Sequence, residues 1–345
     1  MKILICGATG FVGRHLTTSL RAAGHTVIRG VRKPSQPNDI AVDYCKDTAK
    51  EAWLPKLAGI DTVINAVGVL RDSAKQPMKL LHEQSPIALF SACQEAGVKR
   101  IVQVSALGVD KGIETPYFQT RRAPEAYLNN TFNRIPPVVR RPSEVPVVQA
   151  HHERNGAETV RLESFDCAQE SPVEGHSDNN KSDSVRFLIL RPSVIYGEDG
   201  ASAKMFRLQA SLPVHTLPAG GGQKLQPVHI EDICAAVNRW LADPDAQSQT
   251  VSCVGLEATD MRGMLDSYRQ QLHHSKALHI SIPAFFVGLS ARMGDYIPAS
   301  PLCSDTLTML NAGNTGDATE FTKLLGRPPR SYRTFVSSGT ANAIP

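Results

Sequence analysis

The chain has 345 residues, enough for two ordinary domains or one large α/β unit with an elaborated C-terminal part. Its 37 basic and 33 acidic residues leave a net charge of +4 spread along the sequence, so no basic tail or acidic tract argues for a nucleic-acid partner. With 41% hydrophobic residues and no apolar run near the roughly 18 that a membrane span needs, the composition excludes a wholly disordered chain and predicts no transmembrane segment.

The N-terminal MKILICGATG meets a glycine loop after four apolar residues, shorter than the roughly 7–15 of a signal-peptide core. Seven scattered cysteines (Cys6, Cys45, Cys93, Cys167, Cys234, Cys253 and Cys303) form no CxxC pair, so neither a zinc site nor a disulfide framework is expected. Reduced thiols and a cytoplasmic location follow.

Short apolar runs alternate with helical segments over residues 1–128. Strands are expected at Ile3–Cys6, Thr26–Val31, weakly near Ile40–Asp43, at Thr62–Ala66 and at Arg100–Ser105. Helices are expected at Phe11–Ala23, around Trp53–Leu57, and at Lys79–Ala96 and Tyr117–Leu128. This alternation predicts an α/β fold, a doubly wound parallel sheet of Rossmann type. Residues 129–184 hold five prolines and fifteen charged residues without sustained periodicity, and read as a disordered polar insertion. Order resumes over residues 185–330, the last core strand and a smaller mixed C-terminal substrate part. A strand is expected at Arg186–Leu190 and another at Thr250–Val254. Helices are expected at Ser202–Ala210, Glu231–Ala242, Thr259–Leu272, Ala284–Met293, Ser304–Ala312 and Thr319–Leu325. Ser281–Met293 reads as a buried core helix, with a membrane-surface or partner-docking face as the alternative. Residues 331–345 read as a frayed tail.

Chemistry is written first at Gly7-Ala8-Thr9-Gly10-Phe11-Val12-Gly13, between the first strand and its helix. Gly7 permits a tight turn, Gly10 lets the backbone approach a pyrophosphate, and Gly13 lets helix and strand pack closely. The helix N-terminus then offers N–H groups and a positive dipole end to phosphate. Dinucleotide binding is the reading, with Thr9, Phe11 and Val12 in the loop. The second strand ends in Arg29-Gly30-Val31-Arg32-Lys33, where an NAD site would carry an acid. Arg32 and Lys33 instead suit a 2′-phosphate, which favours NADP(H), with NAD(H) as the alternative. Asp43 could accept from the adenine amino group or be a plain turn residue, and the small residues Ala66, Val67 and Gly68 would let the adenine-ribose part lie against the sheet edge.

GATGFVG, INAVG, VSALG followed by a tyrosine, LRPSVIYG and QPVHIED stand in an order that resembles the short-chain dehydrogenase/reductase superfamily, in its extended and atypical branches. The segments Ser105–Gly108, Tyr117–Glu125 and Gly313–Asp317 resemble the atypical group that contains the NADPH-binding accessory subunit of respiratory complex I and bacterial epimerase/dehydratase-like proteins. The resemblance implies that Ser105 polarises a substrate carbonyl and that Tyr117 exchanges a proton with it. A lysine four residues after the tyrosine would support the phenolate, and Arg121 stands in that position. It also implies that Arg191, Pro192 and Ser193 line the nicotinamide turn. Arginine keeps the charge but does not deprotonate, so it fits a proton relay poorly.

Two functions follow as expectations. One is an NADP(H)-dependent oxidoreductase or isomerase acting on a small carbonyl, lipid-like or quinone-related substrate. The other is a nucleotide-holding structural or assembly protein, peripheral to a membrane or a respiratory complex. His229 and Asp232 are expected to be structural, as a hydrogen-bonded histidine and a helix cap, with His229 facing the substrate cleft as the alternative.

Overall fold

Strand β1 (Lys2–Cys6) shows how the core is divided. Side chains alternate across a sheet, so Ile3 and Ile5 join the apolar cluster on one face while Leu4 and Cys6 join the cluster on the other. All four are fully buried. A strand buried on both faces belongs in a parallel sheet with helices on each side. The computed structural model describes residues 1–132, 185–297, 300 and 302–336.

After β1 the strands are β2 (Thr26–Val31), β3 (Asp39–Ala41), β4 (Thr62–Asn65), β5 (Arg100–Val104), β6 (Arg186–Pro192) and β7 (Ile195–Tyr196). They continue with β8 (Val214–Pro218), β9 (Lys224–Leu225), β10 (Val228–His229), β11 (Gln249–Cys253), β12 (Thr259–Asp260) and β13 (Leu278–Ile282). The helices are α1 (Phe11–Ala22), α2 (Lys50–Trp53), α3 (Ser85–Glu95), α4 (Pro116–Phe132) and α5 (Ala201–Ser211), then α6 (Ile230–Ala242), α7 (Met261–Gln271), α8 (Ala284–Asp295), α9 (Ser304–Asn311) and α10 (Thr319–Leu325).

Seven strands pair in the order β11-β6-β5-β4-β1-β2-β3. Every neighbouring pair is parallel. The order reverses between β1 and β4, which opens the switch-point crevice where doubly wound sheets bind ligands. Leu16 and Leu20 of α1, Ile233, Val237 and Trp240 of α6, and Phe321 of α10 cover one face. Trp53, Leu89, Phe90 and Leu128 cover the other. Each such side chain contributes roughly 1.5–3 kcal/mol by leaving water. The C-terminal part has a core of its own, built on Phe206, Leu217, Met264, Tyr268 and Phe335, with β8 and β13 paired in parallel beside it.

Several expectations need correction. The expected Lys79–Ala96 helix begins as a π-turn at Leu80–Gln84 before α3. Helix α4 runs on to Phe132, past the expected boundary at 128; the rest of the insertion lies outside the described residues. The tail begins later than 331, because Tyr332, Phe335 and Val336 are buried. Helix α8 is not a core helix: only Val287, Ala291 and Gly294 are buried, while Phe285 is 74% and Met293 62% exposed. Asp232 stands in the first turn of α6, where an acid suits the helix dipole, but His229 is the N-cap. Fully buried, Asp232 accepts from Arg327 Nη2 at 2.5 Å and from the Arg330 N–H at 2.8 Å, and so holds the C-terminal segment. Among the described residues, no helix is long and apolar enough to cross a membrane.

Candidate active site

The turn between β1 and α1 is set by backbone contacts that only glycine tolerates. Gly7 has φ +79°, and a Cβ there would lie 2.8 Å from the Ala66 carbonyl oxygen. A Cβ on Gly13 would lie 2.1 Å from the Gly7 carbonyl oxygen, so Gly13 sits beneath the loop rather than on its open side. Gly10 is the N-cap of α1, with no side-chain cap and no acid in the helix's first turn. That leaves an N-terminus whose N–H groups and dipole suit an anion. The loop therefore fits a dinucleotide pyrophosphate.

Two cavities of about 380 and 300 Å³ share Gly10 and the Ala66–Val69 turn, making one cleft at the switch point. Gly7, Thr9, Arg32, Asp43 and Lys75 line the first, the size and place of an adenosine half. Phe11, Val12, Ser105, Tyr117, Arg121 and Ser193 line the second, with Pro192. Three expected site residues stay outside. Gly13 is buried under the loop, and Lys33 is exposed away from the lining. Arg191 is drawn off by acids: its Nη2 is 2.5 Å from Glu125 Oε2 and its Nη1 is 2.6 Å from Asp110 Oδ2. A larger cavity of about 540 Å³, lined by His15, Asp199, His229 and Glu231, holds none of the expected site residues.

The second cavity's wall brings Tyr117 and Arg121 together. Arg121 is 7% exposed, and its Cζ lies 4.7 Å from the centre of the Tyr117 ring, one helical turn away. Arg121 Nη1 donates to the Val104 carbonyl at 3.1 Å. A Cβ on Gly68 would come within 2.2 Å of Arg121 Nη2, so the glycine makes room for the guanidinium. Buried Ser105 donates its hydroxyl hydrogen to Glu125, itself 3% exposed, and Glu125 also accepts from Arg191.

His82, on the π-turn, braces the Ala66–Val69 turn of the cleft from behind. Its Nε2 accepts from the Val69 N–H at 3.0 Å, so Nδ1 carries the proton and donates to Thr120 Oγ1 at 3.1 Å. Thr120 in turn donates to the Pro116 carbonyl at 2.8 Å. Burial, reinforced by the nearby Arg121 charge, pushes the His82 pKa down to about 3, so the ring is neutral. Asn65 Oδ1 fixes the same turn from the strand side, accepting from Tyr44 Oη at 2.9 Å and the Val67 N–H at 3.1 Å. Arg71, in the loop that brings Lys75 to the cleft, donates to the carbonyls of Gly294 and Asp295 and of the nearby Ile297 and Ser300.

At the start of β3, Asp39 is engaged by β2. Arg29 grips it through Nε and Nη2 at 2.7 and 2.8 Å, and the Ser35 and Gln36 N–H groups bind the same carboxylate. The Arg29 contacts hold its pKa well below the usual carboxylate range. Sequence reasoning missed Asp39, His82 and Lys75, which no local motif announces, and it gave no role to Glu125, although that residue ends the Tyr117–Glu125 segment.

Residues 7–135 match the family model described as NAD(P)H-binding. The photosystem II assembly factor Ycf39 of Synechocystis sp. is 27% identical over 139 residues, 38% of this chain and 41% of that protein. The chain thus spans well under half the length of that relative. Among solved structures, a nucleoside-diphosphate-sugar epimerase from Staphylococcus aureus superposes with a TM-score of 0.66 at 15% identity, over 97% of this chain and 99% of that one. An NADPH-dependent quinone oxidoreductase from Escherichia coli, in complex with NADPH, superposes with a TM-score of 0.64 at 15% identity over the same shares. At such identities the likeness concerns the fold. The glycine loop, the switch-point cleft and these matches agree: residues 7–135 form an NAD(P)H-binding domain of Rossmann type, and the chain shares the fold of the epimerase and quinone oxidoreductase structures.

Proposed function

We propose that the chain binds NADP(H) in preference to NAD(H) and reduces a small carbonyl or quinone-like substrate, with Tyr117 as proton donor and Arg121 as a fixed cation beside it. The observation that carries this reading is the meeting of Tyr117 and Arg121 on one cavity wall with Gly10, Phe11 and Val12. The preference for NADP(H) is supported by Arg32 on the lining of the adenosine cavity, where a cation suits a 2′-phosphate.

The glycine loop and the α1 N-terminus would hold the pyrophosphate, and the Ala66–Val69 turn the sugar and nicotinamide. When bound, the reduced nicotinamide supplies the hydride. Tyr117 gives its phenolic proton to the substrate oxygen, and Arg121 stabilises the phenolate left behind. Arg121 cannot pass a proton on, so Tyr117, half-buried at the cavity wall, recovers its proton from water. Ser105 spends its hydrogen on Glu125 and can only accept from a ligand in this arrangement.

The test is NADPH oxidation against a panel of quinones and small carbonyls. Turnover is expected, and Tyr117→Phe should lower kcat about 100-fold or more while changing NADPH affinity little. Stoichiometric NADPH that stays reduced across the panel, or full activity in Tyr117→Phe, would overturn the reading. The first of those outcomes is what a second reading expects, a nucleotide-holding assembly protein. That reading is favoured by the commitment of Ser105 to Glu125 and by the exposed Phe285 and Phe286 of α8, a face for a partner or a membrane surface. The matched relative named as an assembly factor agrees with it.

A further inference from the structure

Away from the nucleotide cleft, the parallel pair β8–β13 sets two histidines side by side. The register places His215 directly opposite His279, with ring centres 5.4 Å apart. Asp266 reaches them from α7: its Oδ1 lies 2.8 Å from His279 Nε2 and 3.8 Å from His215 Nδ1. One donor atom from each residue lies within 4.8 Å of the other two.

His215 is fully buried, and neither ring nitrogen has a hydrogen-bond partner of acceptable geometry. The Ala210 carbonyl bears on the ring, but it already accepts from Arg269 Nη1 at 3.0 Å. An imidazole buried in this way has lost water's hydrogen bonds and gained none, a cost that an aliphatic side chain at position 215 would avoid.

We propose that His215, Asp266 and His279 bind one divalent transition-metal ion, with water completing its shell, and that the ion staples β8 and β13 to α7. Two imidazoles and one carboxylate form a borderline donor set that suits Zn²⁺ and not the oxygen-seeking Mg²⁺ or Ca²⁺. Donors bound tetrahedrally at roughly 2.0–2.1 Å stand about 3.3 Å from one another. The separations of 2.8 and 3.8 Å from Asp266 bracket that spacing, and all three donor atoms lie within 4.8 Å of one another.

Three elements pre-organise the ligands. The parallel register fixes both histidines, and the buried Met264, Leu265 and Tyr268 fix α7. Asp266, whose side chain is 45% exposed, and His279, at 23%, leave the solvent side open for entry of the ion and for the water ligand. The opposing charge is Arg269. Its guanidinium donates to the carbonyls of Ala210, Leu212 and Ser275, whose dipoles offset part of its charge.

The test uses the full chain after dialysis against chelator. Titration with Zn²⁺ should show one site that is lost in His279→Ala and in Asp266→Asn. Co²⁺ should give the visible bands of a low-coordinate ion with the wild type and not with His279→Ala. Excess Zn²⁺ should raise Tm on the order of 5 °C in the wild type alone. Circular dichroism and NADPH binding of both variants should match the wild type, which separates this proposal from the reading of the cleft. Failure of the wild type to bind micromolar Zn²⁺, or zinc stoichiometry and Tm shifts unchanged by both substitutions, would overturn it.

Discussion

Acid should loosen this protein through His82, and one substitution isolates the effect. The His82 ring is 2% exposed and neutral, with a pKa pushed down to about 3, against an ordinary value of about 6.5 in the unfolded chain. Between those values the unfolded chain takes up a proton that the folded protein refuses. Stability is therefore full above about pH 6.5 and falls as the pH drops, by about 1.4 kcal/mol per unit. Between pH 7 and pH 5 the loss from this one group comes to about 1.9 kcal/mol. Since pH 5 is far above the folded-state value, the figure depends almost wholly on the unfolded-state pKa. His82→Gln keeps an acceptor for the Val69 N–H and a donor for Thr120 Oγ1 but does not titrate. Urea unfolding of both proteins at the two pH values measures the difference. The other histidines and the carboxylates titrate in both proteins and cancel. The wild type should lose about 2 kcal/mol more than the variant. Equal losses within about 0.5 kcal/mol would refute the buried, neutral assignment.

Glu125→Gln should cost about 2–3 kcal/mol in chemical denaturation, because it leaves Arg191, 17% exposed at its side chain, with only Asp110, itself 56% exposed, as a charged partner. A change below about 0.5 kcal/mol would mean that Asp110 alone satisfies the guanidinium. Arg32→Ala should weaken NADPH about tenfold or more by calorimetry and spare NADH, the loss expected for one charge-assisted contact to a 2′-phosphate. Equal weakening of both nucleotides would reject the NADP(H) preference.

The parallel sheet was legible because its strands are continuous apolar runs, as ILIC and FLIL are, and each signal is local. The glycine loop was legible for the same reason, since a strand, a turn and a helix follow within a few residues. The meeting of Tyr117 with Arg121 needed only helical spacing. What stayed hidden depends on pairing across the chain. Nothing near Arg191 announces that Glu125 and Asp110 will take it from the cleft, and nothing near Arg29 announces its grip on Asp39. The apolar stripe of α8 reads as core because periodicity reports that a face is apolar, not that anything covers it. His215 and His279 become neighbours only through the β8–β13 register.

Arg71 has a thermodynamic consequence for that uncovered helix. Its guanidinium holds four carbonyls, those of Gly294 and Asp295 at the end of α8 and those of Ile297 and Ser300 just beyond, at 2.7–3.1 Å. These groups lie at the negative pole of the helix, where a cation is most welcome. A force that displaces α8 must either drag the loop bearing Lys75 and Gln76 with it or break four charge-assisted bonds together. Work done at one end is thus felt at the other, and such linkage is reciprocal. A partner that shifted α8 and a ligand that shifted the loop bearing Gln76 would each alter the other's hold, and by the same factor.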